Sequence, residues 1–307
     1  CIMAVFHALS GLIERSELAG RLTLALTCDE ETGGTFGAGF LAEKGLLDAD
    51  GCLIAEPSTP YMAILGERGL CWLRLVARGR PAHGSVPKLG RNAIRLAMEA
   101  VSALLSLDGT EVEVPEEIRA ILSEAEDLAG QASELLGLPP DVLRAFVEAC
   151  SRITVNLGVM RGGTKVNVVP ESCEAELDVR VPPGASTSEV LVCAKRLLAG
   201  MSGVELQVIN RVEPSFTSPN TGLYRALESA AREVLGAPLR RAIMPACTDA
   251  HYLRERGVPT IIYGPGCLGL AHAYDEYVPV QHLELASRVL CLAAINFLRA
   301  PPSQEEH

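Results

Sequence analysis

The chain is 307 residues long, 48% hydrophobic and 21% charged, with 38 acidic against 27 basic side chains and a formal net charge of −11. That is enough apolar material for a large core and more than one domain, and an acidic balance without a lysine or arginine cluster excludes a nucleic-acid footprint. No apolar run reaches the ~18 residues a membrane-spanning helix needs, and no basic leader with a cleavage site stands at the start, so the expectation is a soluble, cytoplasmic protein with no membrane partner.

The first element, "CIMAVFHALSGLIERS", places Ile2, Val5, Phe6, Leu9, Leu12 and Ile13 at helical spacing. It begins at Cys1 without an initiator methionine, inside a helix already under way, which reads as a protein whose beginning is missing. A strand, "RLTLALT", runs next into the acidic triplet Asp29, Glu30 and Glu31. A Gly-rich turn and helix ("TFGAGFLAEKGLL") lead to a short strand, "GCLIAEPS". Strand, helix, strand in that order predicts a parallel sheet with crossover helices.

The middle of the chain changes character. "GLCWLRLVARGRPA" alternates like an antiparallel strand, "NAIRLAMEAVSALLSL" is an amphipathic helix, and "RITVNLGVMRGG" and "SCEAELDVRVPP" are two strands around a turn. "STSEVLVCAKRLLAG" is a helix opened by Ser/Thr caps, and "VELQVINRVEPSF" closes the series as a strand. The order β-α-β-β-α-β is the ferredoxin-like arrangement. The α/β pattern then resumes: helix "TGLYRALESAAREVLG", strand "RRAIMPA", a helix start at "CTDAHYLRERG", strand "VPTIIYGPG" and helix "QHLELASRVLCLAAINFLRA". The fold class expected is α/β with a mostly parallel sheet, interrupted by a ferredoxin-like α+β domain. The divisions are 1–66, 67–216 for the insert and 217–307, with an acidic, helical excursion over 107–150 inside the insert.

Ten cysteines scatter singly, with no C-x-x-C pair, and most sit in apolar segments. They read as reduced, buried thiols rather than disulfides or zinc ligands. Three carboxylates in a row pose a sharper question: at ~5 Å and an effective dielectric of ~20, each repulsion is about 3 kcal/mol. Glu30 and Glu31 follow one strand, Glu56 another, and His272 ("GPGCLGLAHAYDEY") a third. Sites in open α/β sheets form beyond the carboxyl ends of strands, so these residues can converge. Carboxylates with a histidine suit zinc, manganese or cobalt. Such an ion acidifies water, and a neighbouring carboxylate can then act as general base.

The segments "TCDEETGG", "AEP", "GERG", "GRPAHGSVPKLGRNAI", "NVVPESCEAELDVR", "CTDAH" and "YGPG" with "AHAYDEY" together resemble the co-catalytic zinc amidohydrolases and peptidases. That family includes succinyl-diaminopimelate desuccinylase, acetylornithine deacetylase, aminoacylase and glutamate carboxypeptidase. The resemblance covers nearly the whole chain. It implies that Glu30 is the general base and that Glu31, Glu56 and His272 are metal ligands, His272 sharing an ion with Glu31. It implies that His83 helps polarise the scissile carbonyl, often across a dimer, that Asn167 and Arg180 hold the substrate carboxylate, and that Gly264 and Gly266 shape the loop beside the substrate. Two divalent ions, zinc first and cobalt or manganese as alternatives, would serve hydrolysis of the amide bond of an N-acyl amino acid or small peptide, in a homodimer formed through the insert.

The family also uses an upstream histidine and a metal-bridging aspartate, neither of which is found in this sequence. The expectation is therefore that these residues alone bind metal poorly and are inactive. The alternative is a metal-free, non-catalytic binding or dimerisation protein that keeps the fold. Arg180 can also pair with Asp178 or Glu176, and Asn167 can cap a turn near Pro170. "CTDAH" reads chiefly as a helix start capped by Thr248 or Asp249, with a supporting role near the site left open. His7, His282 and His307 are assigned nothing.

Overall fold

The computed structural model describes residues 2–14, 20–127, 139–271 and 274–299. The chain divides into two compact units, one of Cys1–Glu67, Glu116–Val147 and Ser215–His307, the other of Arg68–Pro115 and Glu148–Pro214.

The first unit is built on a mixed sheet. β1 (Cys52–Ile54) runs parallel to β9 (Thr260–Ile262), and β2 (Met62–Glu67) runs parallel to β8 (Arg240–Met244). β2 is antiparallel to β9 and to the short β7 (Ser215–Phe216). The parallel ladders carry most of the paired positions. β2 is buried at all six positions, and its apolar run from Met62 to Leu65 hides the period-two alternation by which a strand is recognised. The helices are α1 (Ile2–Glu14), the single turn α2 (Phe40–Glu43), α7 (Gly222–Leu235), the short α8 (Ala250–Arg254) and α9 (Val280–Arg299). Thr221 caps α7 by accepting from the Tyr224 amide, and Gly236 ends it in the left-handed region.

Two expectations are corrected here. Residues 21–27 make no ladder, and Leu26 is 74% exposed. The alternation is present, but no strand among the described residues lies beside it to satisfy its amides. The excursion within 107–150 also does not belong wholly to the insert, because residues 116–147 group with the first unit. α4 (Glu116–Asp127) buries Ile118, Ile121 and Leu122. Its Glu124 takes both Nε and Nη2 of Arg241 on β8, at 3.0 and 2.7 Å. α5 (Pro140–Ala149) packs Leu143 against Met62 and Cys267. An amphipathic helix goes where its apolar face finds a partner, whatever its sequence neighbours do.

The second unit is a four-stranded antiparallel sheet in the order β4 (Thr154–Gly162), β5 (Ser172–Val181), β3 (Gly69–Arg78), β6 (Val204–Val212). Helices α3 (Ala93–Leu105) and α6 (Thr187–Leu197) complete the β-α-β-β-α-β order. α3 lays Ala93, Ala97, Ala100, Val101 and Leu104 onto Leu75, Ala77, Ala175 and Leu177. Its small residues allow close approach to the sheet. Asn92 caps α3, and a Ser186/Glu189 capping box opens α6.

The nine described cysteines form no disulfide with one another, and Cys28 and Cys193 are exposed. No helix among the described residues is long and apolar enough to cross a membrane.

Candidate active site

Glu30 and Glu31 lie in a tight turn, Glu30–Thr32, closed by Gly33 N to Glu30 O at 2.9 Å and Gly34 N to Asp29 O at 2.7 Å. Gly33 and Gly34 take φ of 106° and 66°, a region that glycine enters without a Cβ clash. Asp29 shares that region at φ 72°, but its side chain turns back into the loop. It accepts from the Thr32 hydroxyl and from the Phe36 amide at 3.0 Å, and these bonds hold its carboxyl below the usual range. The triplet thus splits: Asp29 organises the turn, and Glu30 and Glu31 are presented by it.

Glu56 stands two residues beyond β1, and Gly264 two residues beyond its parallel neighbour β9. Both strands therefore deliver their loops to the same edge. Gly264 donates to Ser58 Oγ at 3.0 Å. A Cβ on Gly264 would come within 2.6 Å of the Glu56 carbonyl oxygen, so nothing larger fits against that loop. Gly266, with φ 90°, lies beside Pro57 and Val278.

The electrostatics show that these carboxylates converge. Burial, then the charges of Glu56, Asp249, Glu31 and Glu67, push the Glu30 carboxyl up to about 7. Burial, with Glu31 and Asp249, also raises Glu56. Asp249, 8% exposed, is raised chiefly by burial, with His251 acting in the opposite direction. A carboxyl near 7 is matched to taking and returning a proton at neutral pH.

Asp249 is the member that sequence reasoning undervalued. It stands at the start of α8 without capping it; the Thr248 hydroxyl accepts the Ala250 amide at 3.2 Å instead. Asp249 Oδ2 accepts from Thr27 Oγ1 at 3.4 Å. The order of cap residues in "CTDAH" left both options open, and only the geometry assigns the cap to Thr248. His282, to which the sequence assigned nothing, meets Tyr61 edge-on at 6.2 Å.

Among the described residues, no three His, Cys, Asp or Glu side chains form a group able to hold a metal ion. His272, the expected nitrogen donor, lies outside the described residues. The described donors are the carboxylates of Glu31 and Glu56, the first of which helps raise the second, and that chemistry fits a divalent cation.

In the second unit His83 and Asn167 come together. His83 bridges to Val168, and Gly84 N donates to Asn167 O at 2.7 Å. His83 Nδ1 lies 2.7 Å from Ser85 Oγ and accepts from the Ser85 amide at 3.3 Å, which places the proton of the neutral ring on Nε2. Arg180 is not with them. It sits at Leu70 on the ladder, whereas Ser172 pairs with Arg78, the last residue of β3, an offset of about 26 Å along β5. Its Nε donates to both carboxylate oxygens of Asp178 at 2.9 and 3.1 Å.

Comparison with known proteins adds the following. A family profile described as a peptidase dimerisation domain matches residues 65–199. The acetylornithine deacetylase of Myxococcus xanthus is 28% identical over 298 residues, covering 94% of this chain and 68% of that protein. The acetylornithine deacetylase of Edwardsiella ictaluri is 28% identical, covering 88% and 63%. An M20 family metallo-carboxypeptidase from Sulfolobus solfataricus superposes with a TM-score of 0.71 at 20% identity, over 97% of this chain and 75% of that one. A tripeptidase from Staphylococcus aureus gives 0.63 at 20% identity, over 89% and 63%. These structural matches concern the fold. The chain spans 63 to 68% of the length of the curated relatives it matches.

Proposed function

Because the chain belongs to the M20 family of zinc amidohydrolases, we propose that the complete protein hydrolyses the amide bond of an N-acyl amino acid or a small peptide. The single observation that carries this reading is the Glu30 carboxyl, half-buried among Glu31, Glu56 and Asp249 and raised to about 7.

Glu31 and Glu56, with His272, are the residues proposed to hold divalent cations, zinc first and cobalt or manganese as alternatives. A cation held there supplies Lewis acidity to water and to the scissile carbonyl. Glu30 then accepts the proton of the attacking water and returns it to the leaving nitrogen, as a carboxylate beside a cation-held water can. Asp249 backs the acid turn, and Gly264 keeps the Glu56 loop in place. His83, with its proton on Nε2, is the proposed donor to the developing oxyanion, and Asn167 beside it the proposed contact to the substrate. Arg180, whose Nε is shared between both oxygens of Asp178, is the proposed partner of a substrate carboxylate through its Nη groups. The proposed assembly is a homodimer through the insert.

The test is to offer N-acetyl, N-succinyl and dipeptide substrates to the complete gene product with zinc, cobalt or manganese, and to compare it with Glu30→Gln. The expected result is turnover that Glu30→Gln abolishes without loss of bound metal. Absence of turnover and of bound metal in the complete product overturns the reading in favour of a metal-free binding protein.

A further inference from the structure

The first unit contains an ion pair that the proposed chemistry does not use. Glu67, the last residue of β2, and Arg254, the last of α8, are 1% and 3% exposed, with Arg254 Nη1 3.1 Å from Glu67 Oε2. Arg254 Nε and Nη2 donate to the Thr260 carbonyl oxygen at 3.0 and 2.9 Å, and Nη1 also donates to Ser215 Oγ at 3.2 Å. The guanidinium therefore ties α8 to β9 and β7 as well as to β2. The other carboxylate oxygen, Glu67 Oε1, accepts the Thr248 hydroxyl at 2.5 Å.

A buried pair of this kind is a poor source of stability, because each charge loses several kcal/mol of hydration, and apolar residues of similar volume often serve a fold as well. What apolar residues cannot supply is direction. Thr248 is fixed by Glu67 on one side, and on the other its oxygen accepts the Ala250 amide. Asp249, between them, has its backbone clamped on both flanks, and its side chain is left to face the acid turn. There it meets Thr27 Oγ1, and it lies so close to Gly34 that a methyl group there would overlap Oδ1. Farther along α8, the Tyr252 hydroxyl donates to Gly33 O at 2.7 Å. α8 thus grips the turn before Glu30 and after Glu31.

We infer that the buried Glu67–Arg254 pair is a positioning device for Glu30 and Glu31, acting through Thr248, Asp249 and Tyr252. Glu67 is a positioning residue, since it acts on the reacting groups only through others. The inference rests on the reading of Glu30 and Glu31 as the working carboxylates, but the contacts that carry it involve neither cation nor substrate.

The experiment is amide hydrogen exchange on the full chain without added metal, comparing wild type with Thr248→Val, Tyr252→Phe, Glu67→Gln and Thr248→Ser. A local clamp that is cut releases its own segment without opening the rest of the unit. The expected result for Thr248→Val and Tyr252→Phe is exchange about tenfold faster in residues 28–37, with 60–66 and 258–264 within about twofold of wild type. Thr248→Ser, which restores the hydroxyl, should exchange like wild type. Unchanged exchange in 28–37 overturns the proposal, and so does equal acceleration in the sheet segments, which marks a merely structural role. Glu67→Gln should repeat the local pattern; if it fails to fold, the Thr248 and Tyr252 variants still decide. Because exchange is read without turnover, failure here and failure of the hydrolase reading are separate results.

Discussion

Glu56 and Gly264 are held back to back: the carbonyl oxygen of Glu56 lies 2.6 Å from the point a Cβ on Gly264 would occupy. The parallel pairing of Ile54 with Ile262 sets this approach, because both loops leave the sheet at the same edge. Gly264→Ala would press a methyl into the backbone of residues 55 and 56, which cannot swing aside as a flexible side chain does. The expected cost is about 1–3 kcal/mol, as for other overpacked sites, read as a lower midpoint in urea. Gly266→Ala, strained by its φ of 90° but facing only 3.5 Å contacts, should cost about 1 kcal/mol.

The raised carboxyls make stability depend on pH in a definite direction. The Glu30 carboxyl lies near 7 in the folded chain against an ordinary value of 4.5. Between those values the folded state holds a proton that the unfolded chain has released, so stability falls as pH rises through the window. Glu56 and Asp249 are raised too and act with the same sign. Chelator-treated protein should therefore lose urea resistance from about pH 5 to about pH 8, and Glu30→Gln should flatten the slope. Equal slopes in the two proteins would remove Glu30 from the cause.

Arg68, 3% exposed, makes a fan of contacts within the second unit: Nη2 donates to Arg152 O at 3.0 Å, Thr154 Oγ1 at 2.8 Å and Arg180 O at 3.0 Å. Arg68→Met keeps much of the stem but leaves two strand-end carbonyls without this donor. A loss of about 2–4 kcal/mol is expected from the desolvated acceptors, measured by denaturant unfolding. A loss under about 0.5 kcal/mol would show that water replaces the guanidinium there.

The proposed homodimer has a candidate seam at β6, an edge of the four-stranded sheet, where Val208 and Ile209 are 47% and 44% exposed. Ile209→Pro removes a backbone donor from that edge and blocks strand addition. Sedimentation should shift from dimer to monomer. A variant that still sediments as a dimer places the interface elsewhere.

What could be read in advance follows physical lines. The second unit was legible because its strands alternate, one helix is amphipathic and the other opens on Ser/Thr caps; the Glu189 half of that capping box and the Asn92 cap emerged only in the structure. The convergence of Glu30, Glu31 and Glu56 followed from their places after apolar runs. β2 escaped because burial on both faces erases alternation, and residues 21–27 misled because alternation says nothing about whether a neighbouring strand is present. Glu67 escaped for a different reason. Its partners Thr248 and Arg254 are distant in sequence, and a buried ion pair leaves no local pattern. The pairing of Arg180 with Asp178 was foreseeable, because residues two apart on a strand share a face.

The pairing of β1 with β9 has a consequence for how the molecule comes into being. Cys52 finds its ladder partner only at Thr260, after both strands and helices of the second unit have been synthesised. The second unit, whose strands all lie between Gly69 and Val212, can close on the ribosome while the loop carrying Glu56 still waits for its backing at Gly264. Domains fold as units during synthesis, and distant strand pairings are slow. The acidic pocket is therefore among the last places to acquire its shape, and a nascent chain carries the carboxylates long before it carries the site.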